Sequence, residues 1–478
     1  MNNKWKRRLA CLLAAIFILS SAGCGKKDEN ENTANADVSG TVAVTADTKQ
    51  EENTEEAVPA LQEVVQTASG MPTLTAQSAI LVNADTGTIL AEKNAAAKMY
   101  PASMTKILTA LILLDYFSPD ELITVGTEIN EVSLDSSKAG HVVGETLTVK
   151  NLLRGLLIPS GNDSANVIAA LVAKKVEEND SLSFSACEEK FTELMNEKAK
   201  SLGAVNSHFT NAHGYHDDNH YTTAYDMALI TMAALQNDTI LEIAGETSFS
   251  GNGADGLLDN TEGAITQDYN WISHNLLITN NEYRYDYAIG VKTGFTDEAG
   301  DCVAAAAEKD DTRLIAIIFN SADPARWTDA TALFEYGYNA YTMATVANTE
   351  TALGHAALYK HNRLQGDTVP VVVQEDLKIC LPADYTSEAT WTIIYDSTLT
   401  HENKDGSISL QAPLEAGQKV GEAVFTMDGK EVATASVYAG NAVEKSTVWS
   451  TIRYYVGAFF RNLFTLRTLI ILIIIIIM

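Results

Sequence analysis

The chain has 478 residues, enough for two to three domains that each bury a core. Its formal net charge of −29 excludes a nucleic-acid binder, which needs a basic stripe, and disfavours broad electrostatic attachment to acidic wall polymers or anionic lipid. Any basic character that matters must be local.

Residues 1–23 read as a secretory signal. Lys4, Lys6, Arg7 and Arg8 precede an apolar run from Leu9 to Leu19, and the segment finishes at Ser21-Ala22-Gly23-Cys24. Small residues before a cysteine resemble a lipoprotein signal with Cys24 as the lipid attachment site, although Ser21 stands where such signals usually carry Leu. Residues 24–70 are rich in Asn, Thr, Glu, Asp, Ala and Val without a helical or strand period, which predicts a disordered acidic tether. Apart from Cys11 and Cys24, the cysteines are Cys187, Cys302 and Cys380. An odd, scattered set without a CxxC pair argues against a disulfide framework.

Three short strings then follow in order: Ser103-Met104-Thr105-Lys106, Ser160-Gly161-Asn162 and Lys292-Thr293-Gly294. Pro101 precedes an apolar run from Ser103 to Asp115, so Ser103 is predicted in the first turn of a helix, with Lys106 on the same face. A serine beside a lysine predicts acyl transfer, because a hydroxyl is a weak nucleophile until a base takes its proton. Lysine serves as that base near neutral pH only if burial and neighbouring cations lower its pKa from ~10.4. Taken alone, the string also fits an amphipathic helix start with an exposed lysine.

The second string interrupts two apolar helical runs in residues 151–173, which predicts a turn between buried helices. Ser160 and Asn162 suit a hydrogen-bond relay there, and equally suit helix capping. Between the second and third strings, His208, His213, His216 and His220 cluster with Asp217 and Asp218. A metal site is the sharper reading of that cluster. The absence of His-Glu-x-x-His, with the density of Asn, Gly and Asp, favours a loop.

Around the third string, stretches near Ala288–Thr293, Cys302–Ala307 and Leu314–Asn320 predict an antiparallel meander. Lys-Thr-Gly on its edge would offer a cation, a hydroxyl and a bare backbone to an extended peptide, with Gly294 permitting close approach. An edge strand protected by a lysine is the plainer alternative. Residues 346–444 alternate short β-branched runs with turns, and Asp428-Gly429 marks a hairpin, so a small all-β sandwich is expected. From residue 445 the chain turns apolar. Arg453, Arg461 and Arg467 among aromatics predict an interfacial amphipathic helix. The following Ile-rich end, at about 17 Å, is short of the roughly 30 Å hydrocarbon core. The tail is therefore read as a membrane anchor.

Together, ordered and widely spaced, the three strings are the constellation of penicillin-binding proteins and β-lactamases. From Ala76 to Ala442 the chain resembles the low-molecular-mass penicillin-binding proteins, the serine-type D-alanyl-D-alanine carboxypeptidases. The match extends through TGTILAEKNAAAKMYPASMTK, GLLIPSGNDSAN, LMNEKAKSLGAVNSHFTNAHGYHDDNHYTTAYDMA and GVKTGFTDEAGDC. The resemblance implies an α+β, β-lactamase-like transpeptidase domain over residues 71–345, with an antiparallel sheet and a helical lobe, and then the small all-β domain.

It further implies that Ser103 attacks the D-Ala-D-Ala carbonyl of peptidoglycan stem peptides, with Lys106 as base. Ser160 and Asn162 would relay protons and position substrate, and Lys292 would supply positive potential. Thr293 would bind the terminal carboxylate beside Gly294, with Arg326 near that end. The backbone N–H groups of Ser103 and Phe295 would form the oxyanion hole. β-Lactams would be covalent inhibitors, and no cofactor or metal is called for. A class A β-lactamase shares the outer strings but carries Ser-Asp-Asn in the middle and an added glutamate. Glu193, the candidate here, falls on a solvated helix face. The non-enzymatic alternative is a cell-wall-binding lipoprotein on the same fold.

Overall fold

The computed structural model describes residues 58–255, 265–463 and 466–477. The signal segment, Cys11 and Cys24 lie outside the described residues.

The first body is organised on a six-stranded sheet. Its strands are β1 (Gln62–Glu63), β2 (Ser78–Asn83), β3 (Thr88–Lys93) and, much later in the chain, the meander of Ala288–Thr296, Gly300–Lys309 and Thr312–Ser321. Two short hairpins intervene, so the full order continues β4 (Leu122–Thr124), β5 (Thr146–Thr148), β6 (Ser248–Asn252), β7 (Asp268–Ile272), and the meander strands are β8, β9 and β10. The sheet order is β1-β3-β2-β10-β9-β8, antiparallel except for the parallel β1–β3 pair. The expected meander is present, and β8 is an edge strand.

Residues 58–70 do not match the disordered tether expected there. β1 pairs with β3, while Leu61, Val64 and Val65 pack against apolar clusters. Apolar residues scattered without a period are invisible to a periodicity argument, yet they bury well against a preformed sheet edge.

Between β3 and β8 lies the helical lobe: α1 (Lys106–Tyr116), α2 (Val149–Leu157), α3 (Asn162–Val176), α4 (Phe184–Ser201), α5 (Ala224–Leu235), α6 (Asp238–Ala244) and the single turn α7 (Leu276–Thr279). Every residue of α1 from Lys106 to Leu113 is buried, so this helix is the axis of the lobe. Each Leu or Ile it buries contributes about 1.5–3 kcal/mol. Ser103 lies just ahead of α1 in a 3₁₀ turn, Ala102–Thr105, rather than in the α-helix itself. The serine–lysine spacing of three still stacks the two side chains, because residues i and i+3 eclipse in that geometry. The predicted turn between buried helices is Ile158–Gly161. Pro159 there has no N–H to donate, and Ser160 adopts φ +62°.

Helix α8 (Ala325–Ala340) returns across the sheet and leads into the all-β part. Its main sheet has seven strands, in the order Thr390–Tyr395, Lys419–Met427, Lys430–Ala439, Thr368–Val372, Gly354–Tyr359, Ile408–Gln411 and Thr400–Glu402. Asp428-Gly429 closes the hairpin between two of them, with both residues at positive φ as a tight primed turn requires. Cys187, Cys302 and Cys380 are buried free thiols.

After the β domain come α9 (Val448–Leu463) and α10 (Leu466–Ile477). Among the described residues no helix is long and apolar enough to cross a membrane.

Candidate active site

The turn carrying Ser103 is held from three sides. Ala102 adopts φ +46°, and Gly294 on β8 passes so close that a Cβ there would lie 2.7 Å from the Pro101 carbonyl oxygen and 3.3 Å from the Ser103 nitrogen. From the lobe side, Gly214 lies against the Ala102 carbonyl. The third support is a buried relay. His220 Nδ1 accepts the Thr210 N–H at 3.0 Å, so the ring proton sits on Nε2 and faces Thr105 Oγ1 at 2.8 Å. Thr105 in turn donates to the Ala102 carbonyl at 2.8 Å. Burial holds His220 neutral, lowering its pKa to about 3.

That relay accounts for one of the four clustered histidines. His208 Nδ1 donates to the Asn219 carbonyl, His213 Nδ1 accepts the Tyr215 N–H, and His216 packs edge-on against Tyr100. His208 and His213 are committed to their own loop and His216 and His220 to Tyr100 and Thr105 outside it, and no metal-holding group of His, Cys, Asp and Glu occurs among the described residues.

Lys106 is wholly buried, and its Nζ has three neighbours. Asn162 Oδ1 lies at 2.7 Å, the His213 carbonyl oxygen at 2.8 Å and Ser103 Oγ at 2.8 Å. Two of these oxygens accept only. A neutral amine has two N–H donors and one lone pair, so those two acceptors consume both donors and the lone pair is left for the Ser103 hydroxyl. The ammonium form is disfavoured by burial first and by the Lys292 charge second, against a smaller opposing pull from Asp163; the pKa falls well below the usual lysine range.

Lys292, also buried, donates to the Thr293 carbonyl at 3.0 Å. Burial and the Arg326 cation bring its pKa to about 7.

A cavity of about 540 Å³ opens over this centre. Ser103, Ser160, Asn162, Thr293, Gly294, Phe295 and Arg326 all line it, with Lys106 and Lys292 buried behind. These nine sequence-predicted residues therefore converge, although 223 positions separate Ser103 from Arg326 in the chain, and Cys24 lies outside the described residues. Because β8 is an edge, its outward N–H and C=O groups remain open to an added strand. Glu193, by contrast, is exposed on α4 and pairs with Lys190.

Sequence reasoning missed several lining residues. Ser136 and Ser137 reach the cavity because the Asp163 carboxylate accepts the backbone N–H groups of Ala139 and Gly140, and Asn162 N–H donates to the Ser137 carbonyl. Tyr215, His216 and His274 also line the cavity. The Asn211–Tyr215 string was the available signal for Tyr215, and the histidine cluster that for His216; nothing local marks Ser136, Ser137 or His274.

Residues 65–323 match the family model described as D-alanyl-D-alanine carboxypeptidase, more than half of the chain. The chain belongs to the D-alanyl-D-alanine carboxypeptidase family. Residues 341–445 match the C-terminal domain model of penicillin-binding protein 5. Among relatives, it is 31% identical to D-alanyl-D-alanine carboxypeptidase DacF of Bacillus subtilis over 385 residues, covering 78% of this chain and 86% of the relative. With DacA of Escherichia coli K12 the identity is 26% over 406 residues, covering 83% and 90%. Among solved structures, penicillin-binding protein 5 of Haemophilus influenzae superposes with a TM-score of 0.59 at 25% identity, covering 78% of this chain and 99% of that one. This carboxypeptidase-family member is thus a serine hydrolase of the penicillin-binding fold with an all-β domain after it.

Proposed function

We propose that this protein removes the terminal D-alanine from peptidoglycan stem peptides through an acyl-enzyme on Ser103. The observation that carries this reading is the Lys106 amine, whose donors are taken by Asn162 and His213 so that its lone pair faces Ser103 Oγ. Lys106 takes the hydroxyl proton as Oγ attacks the D-Ala-D-Ala carbonyl. The Ser103 and Phe295 N–H groups hold the oxyanion, an interaction whose single donors are worth ~2.7–4 kcal/mol. Ser160 passes a proton to the leaving amine, D-alanine departs, and water hydrolyses the ester. Thr293 and Arg326 receive the terminal carboxylate, with Gly294 letting the peptide backbone approach β8.

The placement of Glu193 on an exposed helix face supports this reading over a class A β-lactamase, and the complete serine–lysine pair supports it over a non-catalytic wall-binding lipoprotein. The test is to incubate the full-length chain with a fluorescent penicillin and with a D-Ala-D-Ala pentapeptide. Covalent label, slow label release and liberation of D-alanine are expected. Rapid turnover of the penicillin would favour the β-lactamase, and no label at all would sink the nucleophile.

The pH dependence has a definite sign. A charged Lys292 attracts the substrate carboxylate, and its charge is lost as pH rises through about 7. kcat/KM reports the free enzyme, so it should decline above that pH. Lys292→Arg, which stays charged, should remove the decline in a pH–rate profile; an unchanged profile would assign the limb to another group.

The catalytic domain is assigned through residue 345, the β domain to residues 346–444 and the anchor to residues 445–478, with the enzyme on the outer face of the cytoplasmic membrane. The exposed Trp449, Ile452, Val456, Phe459 and Phe460 of α9, with Ile470, Ile471, Ile473, Ile474, Ile475 and Ile476 of α10, support an interfacial anchor. Cys24 would add a second attachment. Deleting residues 446–478 should move the protein toward the soluble fraction, and unchanged membrane partition would transfer the anchoring to the Cys24 lipid.

A further inference from the structure

Arg326 occupies an awkward place for a cation. It lies in the first turn of α8, where the helix dipole makes the local potential positive. Two features offset this. The guanidinium packs over the Trp327 ring, its Cζ 4.5 Å from the centroid, and its Nη1 lies 2.6 Å from Asp301 Oδ1. Both members of the pair are largely buried, each side chain 15% exposed. Asp301 comes from β9, where it sits opposite Phe295 of the edge strand β8 and Ser321 of β10. Arg326 faces the substrate cavity; Asp301 does not line it.

We propose that Asp301 determines how strongly this enzyme favours a free C-terminal carboxylate, by holding Arg326 in the cavity wall while offsetting most of its charge. The proposal rests on the reading of Arg326 as a carboxylate-binding residue. Its physical basis is that a cation already paired at contact distance presents a dipole, not a full charge, to an incoming anion. The cavity then recognises the carboxylate largely through the Thr293 hydroxyl and the directed guanidinium N–H groups. Asp301 acts through Arg326 and is a positioning residue. Other charged groups around the pair are Lys292 on β8, Lys106 on α1 and His274 before α7; because the Arg326 cation lowers the Lys292 pKa, KM is compared well below pH 7, where Lys292 stays charged in wild type and variant.

The test uses the full-length chain with two peptides, one ending in D-Ala-D-Ala and one in its C-terminal carboxamide, comparing KM and kcat for each. Asn at position 301 keeps an acceptor for Nη1 and removes only the charge. Asp301→Asn should lower KM for the free carboxylate by about five- to tenfold, the size expected for one unit charge several ångströms away in a solvent-open cavity. KM for the carboxamide should not move, and Asp301→Glu should behave as the wild type. A parallel shift for both peptides, or none, overturns the proposal. Stoichiometric penicillin labelling counts the folded sites, and Asp301→Ser replaces Asp301→Asn if the latter fails to label. Arg326→Ala separates the two readings. If it keeps the preference for carboxylate, the assignment of Arg326 fails and the proposal with it. If it abolishes the preference while Asp301→Asn leaves it unchanged, only the proposal about Asp301 fails.

Discussion

Ser103→Ala should abolish penicillin labelling and cut D-alanine release by a factor on the order of 10⁴–10⁶, as removal of a nucleophile does elsewhere. Lys106→Met should come close to the same loss. Met fills a similar volume in the buried slot but offers no basic nitrogen to take the Ser103 proton and no donors to Asn162 and His213. Since serine and lysine act as one unit, the double variant should be scarcely worse than either single one. Single-turnover acylation with a fluorescent penicillin measures each rate. Additive losses would mean that Lys106 does not activate Ser103. Lys106→Arg should not restore activity, because a guanidinium cannot shed its proton in a protein.

The second large effect is expected at a residue that performs no chemistry. Gly214→Ala drives a Cβ into the Ala102 carbonyl oxygen and to 2.8 Å from Thr105 Oγ1, at φ +82°. The backbone strain alone costs about 1–3 kcal/mol. The overlap can be relieved only by moving the Ala102–Thr105 turn or the loop around Asn211, whose Oδ1 accepts the Gly214 N–H at 2.7 Å. Either movement misaligns Ser103 with Lys106, and a displacement near 1 Å can cost on the order of 10²-fold. Thermal unfolding and the second-order acylation rate should therefore fall together. Wild-type acylation in a folded Gly214→Ala protein would show that the loop does not position the nucleophile.

These two variants mark how far the site was legible in the sequence. Ser103 and Lys106 were readable because their relation is local, three residues apart on one turn. The Lys292-Thr293-Gly294 string was readable as an edge of a meander because strands announce themselves by composition over a few residues. The support given by Gly214, His220 and Thr105 was not. His220 has a buried partner 115 positions away, and no period or capping pattern records such a pairing. The same holds for Asp163, which looks like an ordinary first-turn acid of α3 but binds the backbone of residues 139 and 140.

Local rules misplace elements where tertiary burial outweighs periodicity. Residues 58–70 have no strand pattern, yet β1 joins the sheet because the edge of β3 offers unpaired backbone groups. Ser103 falls in a 3₁₀ turn ahead of α1, since Gly214 and Gly294 press on the Ala102 segment from both sides and leave no room for a regular first α-turn.

By itself the sequence determined the family, the order of the three strings, the all-β character of residues 346–444 and the acidic balance, because these reside in residue identity, spacing and local period. Tertiary structure alone decided three things. It buried Lys106 beside Lys292 and so set which amine can be neutral; it paired Arg326 with Asp301; and it brought a histidine loop and a glycine beneath Ser103. Each depends on the desolvation and proximity of groups distant in the chain, and electrostatic energies in a folded interior follow distance in space.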